Sequence, residues 1–321
     1  MQLKTILVGL TLDEDSEKTV SRALQLAAQH NATIIGVHVI EDSALQDSDV
    51  LPSVNASTLT RLIEGESKRK LESLFTSQAE NVVLHIESGK AYKVIEKVAA
   101  LHDVDVIVIG PGAASGLREK LFGSTADYVI RYASCPVLVV RRNARIPYQH
   151  TTVGVDFSDY SRAAALWASR LSPAAAMDLV YVFEIPLPFE QAMLKAGTSQ
   201  AEIDHYRNVK VADARKRLIK IYGQNGRLPR GTLIHIVRGD AAMVLTDISR
   251  NNTKDLVALG TQGVNSITQH LLGSVARKVI NCAECDVLVV SPNVKIARAQ
   301  KQQAEQAVEG DYSFLRSHQN S

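Results

Sequence analysis

Two segments of this chain repeat each other at a fixed spacing, and this repeat constrains the fold more than any other feature. Gly110 lies 150 residues before Gly260, and the run VLVV at 137–140 returns at 287–290. Self-similarity at a fixed period marks a structural unit that occurs more than once. The chain is therefore predicted to be a tandem duplication of one domain.

Within each copy, short continuous runs of Val and Ile alternate with longer stretches of helical period, which indicates strands buried on both faces and helices between them. Strands are predicted at 5–10, 33–40, 81–86, 105–109 and 136–140, and again at 151–155, 178–183, 232–236, 255–259 and 286–290. Helices are predicted at 16–30, 58–78, 91–102 and 124–132, and from Ser158, Ser199, Ala241 and Ser274. Right-handed crossovers would then give an α/β protein with two tandem, doubly wound, five-stranded parallel sheets of Rossmann-like type.

Length and composition agree with two domains, because 321 residues is about twice the usual domain size. We expect one domain over 1–142, a second over 149–293 and a polar tail over 294–321. The net charge of +2, with acids and bases interspersed, gives no argument for nucleic acid. Because no apolar stretch approaches a membrane span or a signal peptide, we expect a cytoplasmic protein without membrane contact.

The three cysteines, Cys135, Cys282 and Cys285, are few and odd in number for a secreted disulfide scaffold, which favours the same compartment. Cys282 and Cys285 form a C-x2-C pair. A metal or redox role would need a second ligand pair or a cysteine at a helix N-terminus, whereas this pair precedes a predicted buried strand. The cysteines are therefore interpreted as structural.

A glycine-spaced loop follows the fourth strand of the second copy. The strand leads into GTQG at 260–263, and nine residues later Gly273 and Ser274 open a helix. Glycine tolerates positive φ and leaves no Cβ between backbone N–H groups and an anion. Ser274 and the first free amides of the helix add donors at the positive end of its dipole. The pattern predicts phosphate binding, and an ordinary strand-to-helix connection is the alternative.

This loop resembles the nucleotide motif of the universal stress protein family, G-x2-G-x9-G-[S/T], which Gly260, Gly263, Gly273 and Ser274 match in full. The resemblance covers nearly the whole chain as two tandem domains. It implies the strand order 3-2-1-4-5 in each sheet and a stress-response regulatory protein that binds ATP or another adenine nucleotide.

The same resemblance implies further ATP-binding residues in the second copy. Asp156 in GVDFSD matches the aspartate that meets the nucleoside at the end of the first strand, Val182 would lie against the adenine, and Val275 would lie beside the phosphates. Val155 and Leu259, at the ends of the first and fourth strands, are expected beside them. An aspartate between a strand and a helix can also be only a turn or cap residue.

The segment 264–272 contains no Lys or Arg. We therefore expect the phosphate charge to be met by backbone amides, by Ser274 with Ser266 or His270, and by a bound Mg²⁺. A Ser/His/Asp set, a carboxylate pair and a Walker lysine are all missing, so an enzyme is not favoured. Two other functions fit the sequence: an interaction or scaffold module of the stress response that binds no nucleotide, and a weak ATPase.

The first copy departs from the motif at two positions. Ala113 stands where the motif has its second glycine, and Thr11 stands where the second copy has its aspartate. Pro111 removes an amide donor from the loop, and the acidic run 13–15 would repel a triphosphate. We expect the second domain to bind ATP and the first to bind none.

Family domains pair through their last strands, so the resemblance implies that 137–140 and 287–290 pair within the chain as a pseudo-dimer and protect both sheet edges. The sequence leaves open whether two chains also form a homodimer, and a further protein partner is expected. The segments 41–57 and 185–199 are long for connections and are interpreted as lids or partner surfaces. The tail is expected either to form a surface helix or to be disordered.

Overall fold

The computed structural model describes residues 2–41, 56–75, 81–112, 123–144, 146–224, 226–251, 253, 255–263 and 271–291. Several features of the sequence lie outside the described residues: Ala113, Ser266, His270, most of the segment 41–57, and the tail 294–321. Among the helices of the described part, none combines the length and the apolar character that crossing a membrane requires.

Strands and helices alternate in both halves. The described elements of the first half are β1 (Thr5–Leu10), α1 (Ser16–His30), β2 (Thr33–Ile40), α2 (Ala56–Phe75), β3 (Val82–Ser88), α3 (Ala91–Leu101), β4 (Val106–Ile109), α4 (Ser124–Tyr132) and β5 (Val137–Val139). Those of the second half are β6 (His150–Val155), α5 (Asp159–Leu171), β7 (Ala176–Phe183), α6 (Leu187–Lys195), α7 (Gln200–Tyr222), β8 (Thr232–Arg238), α8 (Ala241–Ser249), β9 (Leu256–Gly260), α9 (Ser274–Cys282) and β10 (Asp286–Val290).

The elements predicted from the apolar pattern are confirmed, with strand ends that move by one or two residues. Helix α6 was not predicted and lies inside the segment 185–199 that was interpreted as a long connection. Its residues are mostly exposed, and Glu190 is its buried residue, so α6 lacks the apolar stripe that makes a helix visible in a sequence.

Strand order is 3-2-1-4-5 in each half, as the resemblance implies. The full order is β3-β2-β1-β4-β5-β10-β9-β6-β7-β8, so the two sheets expected separately are one ten-stranded sheet. The halves join where β5 and β10 run antiparallel, with Leu138 opposite Leu288, whereas the pairings within each half are parallel. The predicted pairing of the last strands is thus confirmed, and it removes two edges whose N–H and C=O groups would otherwise lack partners.

Helices cover both faces of this sheet and bury a separate core on each. Along β1, Ile6 and Val8 face one core, and Leu7 faces the other, because successive side chains of a strand point to opposite faces. Helices α1, α2, α5 and α7 pack on the first face, and α3, α4, α8 and α9 pack on the second. Each core contains residues of both halves, so the apolar packing is continuous across the β5–β10 joint.

A fully buried carboxylate, that of Asp286 at the start of β10, joins the two halves. Its Oδ2 accepts hydrogen bonds from Arg22 Nε at 3.1 Å and from the Tyr148 hydroxyl at 2.6 Å. Its Oδ1 accepts from the backbone amides of Arg141 and Arg142 at 2.8 and 3.1 Å. Asp286 therefore fixes α1 of the first half and the connection between the halves to β10, one of the two strands of the joint.

The surroundings of Asp286 keep these donors in place. The Arg22 guanidinium lies 3.9 Å from the centroid of the Tyr148 ring, in a cation–π contact. Burial, followed by the charge of Asp286, raises the pKa of Tyr148 well above its ordinary value. The phenol therefore stays protonated near neutral pH and remains a hydrogen-bond donor to the carboxylate.

Candidate functional site

The structure brings all nine residues of the predicted ATP site together around one cavity of about 510 Å³ at the carboxyl ends of β6, β7 and β9. They are Val155, Asp156, Val182, Leu259, Gly260, Gly263, Gly273, Ser274 and Val275. The cavity lies where the strand order of the second half reverses, between β6 and β9. In doubly wound sheets this is the place where ligands bind.

Asp156 stands between a turn and the glycine loop. Its Oδ1 accepts hydrogen bonds from the amide and the hydroxyl of Ser158, at 3.1 and 2.5 Å. These are the contacts of a turn residue, as the alternative interpretation of this aspartate required. Its Oδ2 lies 2.6 Å from the point that a Cβ on Gly263 would occupy. Asp156 therefore makes the turn contacts and also faces the cavity beside the loop.

The motif glycines are required for close packing and not, as predicted, for positive φ. Neither Gly260, Gly263 nor Gly273 has a φ in the left-handed region. A Cβ on Gly260 would lie 2.5 Å from Tyr160 Cβ and 3.0 Å from the Tyr160 carbonyl carbon. A Cβ on Gly273 would lie 3.3 Å from the Thr261 carbonyl oxygen. The loop thus lies too close to the start of α5, to Asp156 after β6 and to its own backbone for a larger residue.

Helix α9 begins at Ser274, as predicted, and its N-terminus adjoins the cavity. Gly273 is the N-cap residue and donates its amide hydrogen to the Thr261 oxygen at 2.7 Å. As glycine it offers no side chain to cap the first turn, and that turn contains no acidic residue. The first amides of a helix have no acceptor inside the helix. They are available to an anion at the positive end of the dipole.

Gln262 and Tyr160 also build this site, and sequence reasoning missed both. The Tyr160 hydroxyl donates to Gln262 Oε1 at 3.0 Å, and Gln262 Nε2 donates to the Leu271 oxygen at 2.8 Å. The buried amide of Gln262 thus ties the two described ends of the loop to each other and to α5. Gln262 occupies an unspecified position of the motif, so the glycine spacing contained no signal for it.

Phe157, directly after Asp156, has a left-handed backbone with φ of 68°. Leu12 occupies the equivalent place in the first half and has φ of 61°. The left-handed region is uncommon for residues other than glycine and costs about 1–2 kcal/mol. Since both copies retain this conformation, the turn after the first strand is a shared feature of the two halves. Nothing in the residue types, Phe and Leu, predicts it.

The corresponding cavity of the first half is smaller, about 360 Å³, and more acidic. Thr11, Asp13, Asp15 and Glu41 line it. The Thr11 hydroxyl donates to Asp13 Oδ2 at 2.7 Å. Thr11 is equivalent to Asp156, so the nearest carboxylate here, that of Asp13, lies two residues later in the chain than the carboxylate of the second half. Gly112 here does have positive φ, +81°, in contrast to the glycines of the second loop. The two cavities therefore differ in charge, size and loop conformation.

The described residues contain no group of three or more His, Cys, Asp or Glu side chains arranged to hold a metal ion. Cys285 is buried just before β10, and burial raises its pKa to about 12. A thiol with so high a pKa remains neutral and is a poor metal ligand or nucleophile. This agrees with the structural interpretation of Cys285.

Comparisons with known proteins show the same two-part organisation. The model of the universal stress protein family matches residues 2–141 and 147–291. "Universal stress protein Mb2019" of Mycobacterium bovis is 25% identical over 308 residues, which cover 88% of this chain and 94% of that protein. "Universal stress protein A homolog 1" of Coxiella burnetii is 33% identical over 141 residues, or 44% of this chain and 97% of that protein.

Solved structures agree on the fold. A putative universal stress protein from Pseudomonas aeruginosa UCBPP-PA14 superposes with a TM-score of 0.59 at 16% identity and covers 94% of this chain and 98% of its own. A universal stress protein from Archaeoglobus fulgidus superposes with a TM-score of 0.57, also at 16% identity, covering 91% of this chain and 99% of its own.

Proposed function

Because this chain belongs to the universal stress protein family, we propose that it is a stress-response regulatory protein whose second half binds an adenine nucleotide, in the first place ATP. One observation supports this most: the four motif residues and the aspartate share a cavity of about 510 Å³, with Asp156 directly against Gly263. The volume lies within the range of about 300–1,000 Å³ that is usual for small-molecule sites.

The groups around this cavity suit the parts of a nucleotide. The uncapped first turn of α9 and Ser274 would receive the phosphates through backbone amides and a hydroxyl. Val182 would pack against the base, and the Asp156 carboxylate would accept hydrogen bonds from the nucleoside. Asp156 is held by two hydrogen bonds from Ser158, so little freedom would be lost when a ligand binds.

Mg²⁺ would enter this site with the phosphates. Mg²⁺ commonly binds through one or two carboxylates together with substrate phosphates and water, without a cage of protein ligands. The described residues offer no such cage, and Asp156 is the carboxylate that faces the cavity among them. The residues present therefore fit an ion that depends on the nucleotide, and the ion would neutralise part of the phosphate charge.

The first half is proposed to bind no ATP. Asp13, Asp15 and Glu41 all line its cavity, and two like unit charges 4 Å apart near a protein surface repel by about 4 kcal/mol. The same asymmetry defines the proposed domains: residues 1–142 with the altered loop, 149–293 with the intact loop, and the tail 294–321. The first domain would then serve mainly as the partner of the second across the β5–β10 joint.

Thermal unfolding with and without ATP and Mg²⁺ tests this proposal. A ligand present at about 100 times its Kd stabilises the folded state by about 2.7 kcal/mol, and Tm should rise by several degrees. Gly263→Val should remove the shift, because its side chain would occupy the space next to Asp156. Ala113→Val, the matched change in the first half, should leave it intact. The absence of a shift in the unaltered protein would refute nucleotide binding.

Phosphate release separates a binder from a weak ATPase. The cavity presents no general base with a positioned nucleophile among the described residues, so turnover above background is not expected. Release of phosphate that is lost on Asp156→Asn would overturn this part of the proposal while leaving binding itself intact.

A further inference from the structure

A second cavity in the second half, of about 430 Å³, lies outside the proposed nucleotide site. The carboxyl end of β7, the segment that follows it and helices α6 and α7 enclose it. Five aromatic residues line its walls: Phe157, Tyr181, Phe183, Phe189 and Tyr206. Five rings around one small cavity are unusual in this chain, where aromatic residues make up 5% of the sequence.

Two cations lie over these rings. The Arg217 guanidinium lies 3.9 Å from the centroid of the Phe157 ring, and Lys210 Nζ lies 5.4 Å from that of Tyr206. Within the described residues, neither cation has a carboxylate oxygen within 4.0 Å. Glu184 and Asp213 also line the cavity, and neither carboxylate lies within 4.0 Å of these two cations. Both cations therefore lie at π faces without a direct ion pair to a described residue, which leaves their N–H groups available to a ligand.

We propose that this cavity is a binding site for a flat, apolar molecule that carries an anionic group, such as an aromatic carboxylate. Aromatic side chains pack against a planar ligand by offset or edge-to-face contacts. A guanidinium at the same wall can donate two parallel hydrogen bonds to a carboxylate. A volume of about 430 Å³ suits one small molecule.

The walls of the cavity are fixed before any ligand enters. On α6, the buried Glu190 accepts hydrogen bonds from Arg207 on α7 and from Arg238 on β8, both at 2.8 Å. These bonds hold α6, and with it Phe189, against the rest of the second half. Phe157, another wall residue, has a left-handed backbone, and its ring packs beside that of Tyr181 at a centroid distance of 4.6 Å. A pre-formed site loses less entropy on binding.

Among the described residues, Tyr181 is the one that lines both cavities of the second half, and the other lining residues differ. None of the described glycine-loop residues, 260–263 and 271–274, lines the aromatic cavity. The proposal of an aromatic site therefore does not rest on the proposed nucleotide function, and either proposal can fail without the other.

Isothermal titration of the full chain with 2-naphthoate tests the aromatic site, with 2-naphthalenemethanol as the neutral probe of the same shape. We expect one naphthoate per chain and about tenfold weaker binding of the alcohol, which lacks the charge. Arg217→Gln should weaken naphthoate about tenfold, and Phe189→Ala, which removes one ring, about fivefold. Arg215→Gln, an exposed change on the same helix that does not line the cavity, should leave the affinity unchanged.

Three results would overturn the proposal. One is the absence of naphthoate binding to the unaltered protein, and another is equal affinity in Arg217→Gln, Phe189→Ala and Arg215→Gln. The third is competition by ATP together with loss of naphthoate binding in Gly263→Val, because both ligands would then occupy the nucleotide cavity. Retained naphthoate binding in Gly263→Val supports a separate site. Circular dichroism of each variant checks that it is folded.

Discussion

Replacing Asp286 by alanine should destabilise the protein by about 3–5 kcal/mol, the usual cost of leaving one partner of a buried ion pair without the other. Asp286 has no exposed surface, and the Arg22 side chain is 6% exposed. The change removes the acceptor of four hydrogen bonds, from Arg22, Tyr148 and two backbone amides. Each buried donor left without a partner costs about 1–3 kcal/mol, so partial relaxation still leaves a loss of this size.

Urea unfolding followed by circular dichroism measures this loss as a change in the free energy of unfolding. Asp247→Ala is the control, since the ion pair between Asp247 and Arg250 is exposed, and such pairs contribute about 0–1 kcal/mol. Adding Arg22→Met to Asp286→Ala should recover part of the stability, because the unpaired buried charge is then absent.

A loss below about 1 kcal/mol for Asp286→Ala, equal to that of the control, would contradict the role of this carboxylate in joining the halves. A double variant no more stable than Asp286→Ala would show that the missing hydrogen bonds, and not the charge of Arg22, determine the cost.

Two further predictions concern the glycine loop and helix α6. Gly263→Ala should lower the free energy of unfolding by about 1–3 kcal/mol, because its Cβ would push Asp156 away from Ser158, whereas Gly65→Ala on α2, with open space around it, should raise it by about 0.5–1 kcal/mol. Equal effects in urea unfolding would contradict the packing explanation. The hydrogen bond from Arg207, with the charge of Arg238, lowers the pKa of Glu190 below its ordinary 4.5. The stability contributed by ionised Glu190 is therefore fully present above pH 4.5 and is lost as pH falls through the lowered pKa. Between pH 7 and pH 3, the unfolding midpoint should therefore fall less for Glu190→Gln than for the unaltered protein. Parallel pH profiles would refute this assignment.

Most of the fold was predictable, because buried strands appear in the sequence as apolar runs and the repeat shows that the same unit occurs twice. Strands such as β4, VIVI, are buried on both faces and appear as continuous apolar runs. The pairing of β5 with β10 followed from the family resemblance. Helix α6 was missed because it packs through a salt-bridged glutamate, Glu190, instead of an apolar face.

The candidate site was predictable in its residues but not in its geometry. The motif spacing and Asp156 identified positions that share one cavity. Positive φ, one of the two reasons given for the glycines, was wrong, since Gly260 and Gly263 lack it and are in close packing instead. The other reason, that no Cβ stands between the amides and an anion, stays a prediction. The hydrogen bonds of Gln262 depend on a tertiary contact with Tyr160, about 100 residues away in the chain. The left-handed backbone of Phe157 is a strained conformation. Residue types alone encode neither feature.

Equilibrium dialysis of the full chain against ATP and Mg²⁺, followed by acid release and mass spectrometry, tests the asymmetry of the two halves most directly. The amount of nucleotide is counted per chain at saturation. We predict one ATP per chain, lost in Gly263→Val and retained in Ala113→Val. Two nucleotides per chain, or one that persists in Gly263→Val, would contradict the assignment of the site to the second half.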